Sequence, residues 1–457
     1  MLLLSGPNLS AATLSAATLA AVLALTFAAS PTTASAQTLA RPGWAGSGLT
    51  ANAWWRHAVV YAVDLHARGV NATGAHATGS TSPDTAPSGL KAVAAGMDAM
   101  QALGVDAVLL RGLQSGADAA IDPAAGTMDD FDEVLLQASR HNLRVLVELA
   151  PRTSTEDLSG VARFWLSRGV AGFRLLPAGD SKAQMRQLRT IAKTYVGERV
   201  MIGDAALSNV AAPAATPAPT PADVPAEVAV AVGQGQHRRH SAHPANDLSQ
   251  ASAHEVPVRV GDGPQLLLDA SIAVAPLNVA AIRIALEKND VLSRSGTGVP
   301  MLATAEGAGG GPESGKVVAT LLLSTRGGAM IRAGQEGAGD APEAASLSAW
   351  YKRMSVLQHS NATIRTGVNA TLNHDEQKVV AWVRRPQVVS YHSPAVVFLC
   401  NMTDKSVTLS LRTDMAALHL KGSFLRTLVR SDQGMGAMSL DAVTVAPYGV
   451  YVGELLY

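Results

Sequence analysis

Short apolar runs alternate with amphipathic helical stretches between residues 59 and 334, and this rhythm narrows the possible folds more than any other feature of the chain. VVYAV (59–63), VDAVLL (105–110), LRVLVEL (143–149), VAGFRLL (170–176) and ERVMIGD (198–204) read as strands. The continuous apolar character of LRVLVEL is what burial on both faces requires. Between them lie LKAVAAGMDAMQAL (90–103), TMDDFDEVLLQASRHN (127–142), TEDLSGVARFWLSRG (155–169) and SKAQMRQLRTIAKTYVG (181–197), which read as helices. The third position after Thr127 is acidic, so a Thr N-cap with acids in the first turn is expected there. PQLLLDA (264–270) and GGAMIRAG (327–334) can supply later strands. The fold class expected is α/β, a (β/α)8 barrel, although pattern alone does not fix every strand between 205 and 330.

After an amphipathic helix at 345–361 the period shortens. KVVAWVRR, VVFLCNM, SVTLSLR and YGVYVGELLY alternate or run apolar, with polar turns between them. Residues 361–457 therefore read as a C-terminal antiparallel β-sandwich packed on a barrel of residues 50–360. The single cysteine, Cys400, sits in one of these runs and reads as a buried strand residue.

The remaining segments carry other signals. Residues 1–36 hold an apolar run followed by Ala34-Ser35-Ala36, an A-x-A site before Gln37, and read as a secretory signal. No Lys or Arg precedes Arg41, so an uncleaved anchor or a misplaced start is the alternative. A secreted or periplasmic protein is expected, with no membrane span after cleavage. Residues 205–250 are a Pro/Ala-rich low-complexity loop ending in a His-rich run. His237, His240 and His243 are three apart, but prolines and glycines around them suit a solvated loop better than a metal site. No cofactor and no metal is expected. Lys+Arg and Asp+Glu both number 36, so nothing in the overall charge calls for nucleic acid. Asn71, Asn361 and Asn401 begin N-x-T sequons, which matter only if the host glycosylates exported proteins. Trp54, Trp55 and Trp350 read as packing residues rather than sugar platforms.

Several of these segments together resemble the α-amylase and α-glucosidase superfamily, glycoside hydrolase family 13. WWRHAVVY (54–61) is similar to that family's WWrdaVfY, and LGVDAVLL (103–110) to LGVdaiwL. IDPAAGTMDDFDEVL (121–135) resembles iDPxyGTmxDFdeLv, FWLSRGVAGFRL (164–175) resembles FWLdrGVdGFRlD, and LLLSTRGGAMIRAGQEG (321–337) resembles lllslpGtPfiYyGeEiG. The resemblance implies retaining chemistry, in which one carboxylate attacks the anomeric carbon and a second protonates the leaving oxygen.

Carried over position by position, that machinery is incomplete. The strand ending GFRLD in the family ends Gly172-Phe173-Arg174-Leu175-Leu176 here, so Leu176 stands where the nucleophile is implied. An isobutyl group has no lone pair and forms no glycosyl ester. The general acid, Glu in the family, matches Asp204, one methylene shorter; a displacement on the order of 1 Å can cost about a hundredfold in rate. The third acid, in a segment like LGNHD, matches Glu306 in LATAE, with Ala305 in place of the histidine. In the segment like DLVPNHTS, Arg152 and Thr153 replace Asn and the sugar-binding His. The GYDxxDY stretch is compressed into RGLQSGADAAIDP (111–123), and the insert after the third strand is absent.

Two readings follow. One is a catalytically impaired, secreted protein that binds carbohydrate, an α-glucan or oligosaccharide, or a protein partner. Arg174, Arg152 and Thr153 are then candidate ligand contacts, although Arg174 can equally pair with Glu148 or Asp204. A similar architecture without the intact site is found in the ectodomains of amino-acid-transporter heavy chains. The other is an active hydrolase or transglycosidase with a rearranged pair, Asp204 and Glu306. Inversion would require those carboxyls to stand about 6.5–9.5 Å apart. A vestigial, closed pocket is a third possibility.

Overall fold

A computed structural model describes residues 53–67, 89–115, 119–152, 155–177, 181–204, 263–270, 278–294, 298–304, 312–337, 342–386, 393–434 and 436–456. The signal-like segment 1–36, the 205–250 loop with its histidines, Asn71, Thr153, Ala305 and Glu306 lie outside the described residues.

The eight strands of the first domain are β1 (Val59–Asp64), β2 (Ala107–Arg111), β3 (Arg144–Leu149), β4 (Gly172–Leu175), β5 (Val200–Asp204), β6 (Leu266–Asp269), β7 (Val299–Ala303) and β8 (Gly328–Arg332). They are parallel and close into a barrel in chain order, with β8 paired to β1. Residues of alternate parity face opposite ways along each strand. Val60, Ala62, Leu109, Leu146, Val200, Ile202, Leu268, Met301 and Met330 fill the barrel. Their neighbours Tyr61, Val108, Val145, Phe173 and Leu302 face outward and pack under the helices.

Those helices are α1 (Gly89–Ala95), α2 (Met97–Leu103), α3 (Met128–Arg140), α4 (Thr155–Ser167), α5 (Ser181–Ala192), α6 (Val279–Arg294), α7 (Pro312–Ser324) and α8 (Pro342–Ser360). Thr127 caps α3 through a full capping box with Asp130. α3 and α4 lock together where Phe131 meets the edge of Trp165, centroids 4.7 Å apart. The stretch 90–103 is two helices rather than one. The break falls at Gly96, whose N–H is shared between the carbonyls of Ala92 and Val93. α5 stops at Ala192 rather than running to 197; the Thr194 hydroxyl donates to the Ile191 carbonyl and turns the chain.

A short helix, α9 (Ala362–Thr366), leads into the C-terminal domain. Its main sheet has six antiparallel strands. They are β9 (Val368–Leu372), β10 (Val379–Arg385), β11 (Val396–Asn401), β13 (Phe424–Arg430), β14 (Ala437–Ser439) and β16 (Val450–Leu456), in the order β14-β13-β16-β11-β10-β9. On one face Val380, Trp382, Phe398 and Val452 join the barrel's outer core. Trp382 and Phe398, cross-strand partners, stack at 5.1 Å. The other face packs on β12 (Val407–Leu409) paired with β15 (Val443–Val445) and on α10 (Arg412–Ala417). Cys400 is fully buried, and burial pushes its thiol pKa up. Asn401 is buried and donates to the carbonyls of Lys405, Val445 and Ala446, so this sequon residue is a structural tie. Asn361 caps α9 by accepting from the Ile364 N–H. No helix among the described residues is long and apolar enough to cross a membrane.

Candidate active site

In a parallel barrel the strands' C-terminal ends present side chains to one mouth, and chemistry is built there. The inward parity of each strand identifies those side chains. Continuing the barrel-filling residues outward by two positions gives Arg332 on β8, Asp64 on β1, Arg111 on β2, Glu148 on β3, Arg174 on β4 and Asp204 on β5. These strands are consecutive neighbours, so charges of alternating sign line that arc of the mouth.

The arc is closed by direct contacts at its centre. Arg174 Nη1 donates to Glu148 Oε2 at 2.6 Å, and Arg111 Nε reaches the same oxygen at 3.3 Å. Register brings them together, since Glu148 lies beside Arg174 and the pairing of Leu110 with Val147 sets Arg111 next to Glu148. The Glu148 side chain is 9% exposed and that of Arg174 11%. This partly dry environment strengthens the pair and makes it expensive to break. The Arg332 Nε donates to the Thr304 carbonyl at 2.9 Å, tying β8 to the end of β7.

Asp204 ends β5 half-buried. Burial pushes its pKa up, and the positive field of Arg174 offsets part of that rise. Leu176 continues the ladder beyond β4, its N–H donating to the Leu149 carbonyl at 3.0 Å. It stands two residues after Arg174 and thus on the same face, half-buried at the mouth. Arg152 is held from two sides. Its Nη2 donates to Gln114 Oε1 at 2.8 Å, and its backbone exchanges hydrogen bonds with Gln184 on α5 at 3.2 and 2.7 Å. The structure thus gathers Arg174, Asp204 and Leu176 on adjacent strand ends, with Arg152 in the loop after β3. Thr153 and Glu306 are outside the described residues. Trp55 and Trp350 are buried, and Trp54 packs under the Arg144 guanidinium at 4.4 Å, so all three serve packing.

Sequence reasoning misses the share of Arg111 in this site. Its signal is parity alone, the last inward position of an apolar strand being filled by a cation.

The chain has the glycoside hydrolase family 13 fold. The trehalose-6-phosphate hydrolase of Bacillus licheniformis superposes with a TM-score of 0.62 at 13% identity, over 89% of this chain and 100% of that one. The isomaltulose synthase of Klebsiella sp. LX3 superposes with a TM-score of 0.60 at 12% identity, over 88% and 100%. A trehalulose synthase gives a TM-score of 0.60 at 12% identity, over 89% and 100%. By sequence, the trehalose-6-phosphate hydrolase of Escherichia coli is 31% identical over 117 residues, 22% of this chain and 19% of that protein. An amino acid transporter heavy chain of Oryctolagus cuniculus is 24% identical over 107 residues, 20% of each. The match thus spans about a fifth of the length of either curated relative. No protein-family model matches the chain.

Proposed function

We propose that this protein is a catalytically impaired, exported relative of the α-amylase-type enzymes that binds an α-linked oligosaccharide without cleaving it. The observation that carries the reading is Leu176. It occupies the mouth-facing position after Arg174, where the resemblance implies the nucleophile. The neighbouring carboxylate on β3, Glu148, does not replace it: both guanidiniums beside it draw on Glu148 Oε2, which stabilises the anion and blunts its nucleophilicity. Asp204 and the polar rim remain to hold sugar hydroxyls. Thr153 and Arg152 are proposed to contribute at the β3 side.

One observation favours a second reading. The raised pKa of Asp204 is a property of a general acid, and with Glu306 as base it supports an inverting hydrolase or a transglycosidase. Trehalose 6-phosphate, trehalose and malto-oligosaccharides offered to the purified protein separate the two. Calorimetry is expected to register binding, and chromatography no products above the buffer rate. Turnover that disappears in Asp204→Asn would establish the second reading instead. Binding of none of these sugars would turn the module reading toward a protein partner.

A further inference from the structure

At the base of the barrel, opposite the mouth, the end of α8 is fastened to the segment that opens β2. Ser355 Oγ donates to the Gly104 carbonyl, just after α2, at 3.0 Å. One turn further on, His359 reaches the Asp106 carboxylate, with Nε2 3.1 Å from Oδ2 and 3.3 Å from Oδ1. Asp106 Oδ2 also accepts from the Val59 N–H at 2.8 Å, where β1 begins. The other ring nitrogen of His359, Nδ1, lies 2.8 Å from the Ser355 carbonyl oxygen. The His359 and Asp106 side chains are 40% and 29% exposed. Together with Gly104, Val105, Val356 and Ser360 they line an open groove of about 460 Å³.

Both ring nitrogens of His359 thus face acceptors, one a backbone carbonyl and the other a carboxylate. Two donated hydrogen bonds need two N–H groups, and only the imidazolium has both. A neutral ring keeps one. With the proton on Nδ1, the Nε2 lone pair faces the Asp106 carboxylate; with it on Nε2, the Nδ1 lone pair faces the Ser355 carbonyl. Either way one contact turns repulsive. The ring borders the groove, so its proton exchanges with water. The hydrogen bond to Asp106, the largest influence, raises the ring's pKa against the opposing effect of burial. Among the described residues, the charged groups acting on the ring are Asp106, which favours the cation, and Arg365 of α9, which opposes it. The contact therefore contributes its full stability below the ordinary value of 6.5 and loses it as pH rises through the raised folded value.

We propose that His359 is a pH-sensitive latch, closed while its ring donates to both Asp106 and Ser355 and released when the ring gives up a proton to water. The latch sits at a joint of the chain. α8 ends at Ser360, Asn361 caps α9, and α9 leads into the C-terminal sheet. Release frees the last turn of α8 from the barrel base and widens the groove beside Val356, which is already 58% exposed. The hydrogen bond from Ser355 to Gly104 does not titrate, so the helix stays attached one turn earlier. The latch lies at the opposite end of the barrel from the mouth and is independent of any sugar bound there.

The test is hydrogen–deuterium exchange on the full chain, read by mass spectrometry from about pH 6 to 8.5 and corrected for intrinsic rates. Protection of β3 serves as the reference for changes in global stability. Relative to β3, protection of residues 355–360 is expected to fall by about tenfold across that range, the scale of one hydrogen bond to a charged group. His359→Gln keeps a donor but does not titrate, and its profile is expected to run parallel to that of β3. Asp106→Asn keeps an acceptor for the Val59 N–H and offers an N–H to the neutral ring. It is expected to flatten the profile likewise, and it stands in should the first variant fail to fold. A wild-type profile parallel to that of β3, or a fall that persists in either variant, overturns the proposal.

Discussion

Glu336 follows β8, yet its carboxyl is turned away from the mouth into the layer between barrel and helices. It is 4% exposed, accepts a short hydrogen bond from the Tyr61 hydroxyl, and leaves Oε2 buried without a partner. Burial raises its pKa from 4.5 to about 7, outweighing the Tyr61 hydrogen bond that pulls it down. The folded state therefore holds a proton that the unfolded chain has released at intermediate pH. Where the folded state binds more protons, stability falls as pH rises. The loss begins near 4.5 and is complete above about 7. At 1.36 kcal/mol per pH unit it amounts to roughly 3 kcal/mol. The assay is urea denaturation from pH 4.5 to 8 on the wild-type protein and on Glu336→Gln, which keeps an acceptor for Tyr61 but does not titrate. His359, whose pKa is raised by the hydrogen bond its ring donates to Asp106, also contributes stability that is lost as pH rises, so the difference between the two proteins is what isolates Glu336. The variant is expected to gain on the wild type by about 3 kcal/mol between the ends of that range. Parallel pH profiles for the two proteins would refute the reasoning.

Three further outcomes follow from the packing. Glu148→Gln removes the countercharge that Arg111 and Arg174 share and is expected to cost about 3–5 kcal/mol in urea denaturation, as for a broken buried pair. Gly172→Ala would place a Cβ 2.0 Å from the Val200 carbonyl oxygen, forcing β4 from β5, with an expected loss of about 1–3 kcal/mol or more. Thr127→Ala removes the capping box of α3 and is expected to lower stability by about 1 kcal/mol, read as a fall in melting temperature.

The barrel is legible in the sequence because strands buried on both faces recur between amphipathic helices. Val108-Leu109-Leu110 and Leu146-Val147 are apolar at both parities, since one side fills the barrel and the other meets a helix. The C-terminal sheet is only half legible. β10 and β11 are buried throughout and stand out. β13, FLRTLVR, carries arginines and is mostly half-exposed, and β9, VNATL, is short and mostly half-buried, so neither announces itself. Helix breaks such as Gly96 depend on one N–H shared between two carbonyls, and apolar spacing runs through them unchanged. At the mouth, Leu176, Arg174 and Asp204 are legible through the resemblance. Of the partners open to Arg174, Glu148 and Asp204, the structure pairs it with Glu148; the share of Arg111 in that contact is not legible, because it depends on the register that sets three strand ends side by side. The contact of His359 with Asp106 at the base joins residues 253 positions apart and has no local pattern at all.

The central claim is that no side chain at the mouth captures a sugar covalently. The most direct measurement is intact-protein mass spectrometry after incubation with 5-fluoroglucosyl fluoride, which accumulates a glycosyl ester on a retaining enzyme's carboxylate. With Leu176 at the position proposed for the nucleophile, the mass is expected to stay that of the unmodified chain. A stable glucosyl adduct mapped by peptide sequencing to Glu148, Asp204 or Glu306 would contradict it.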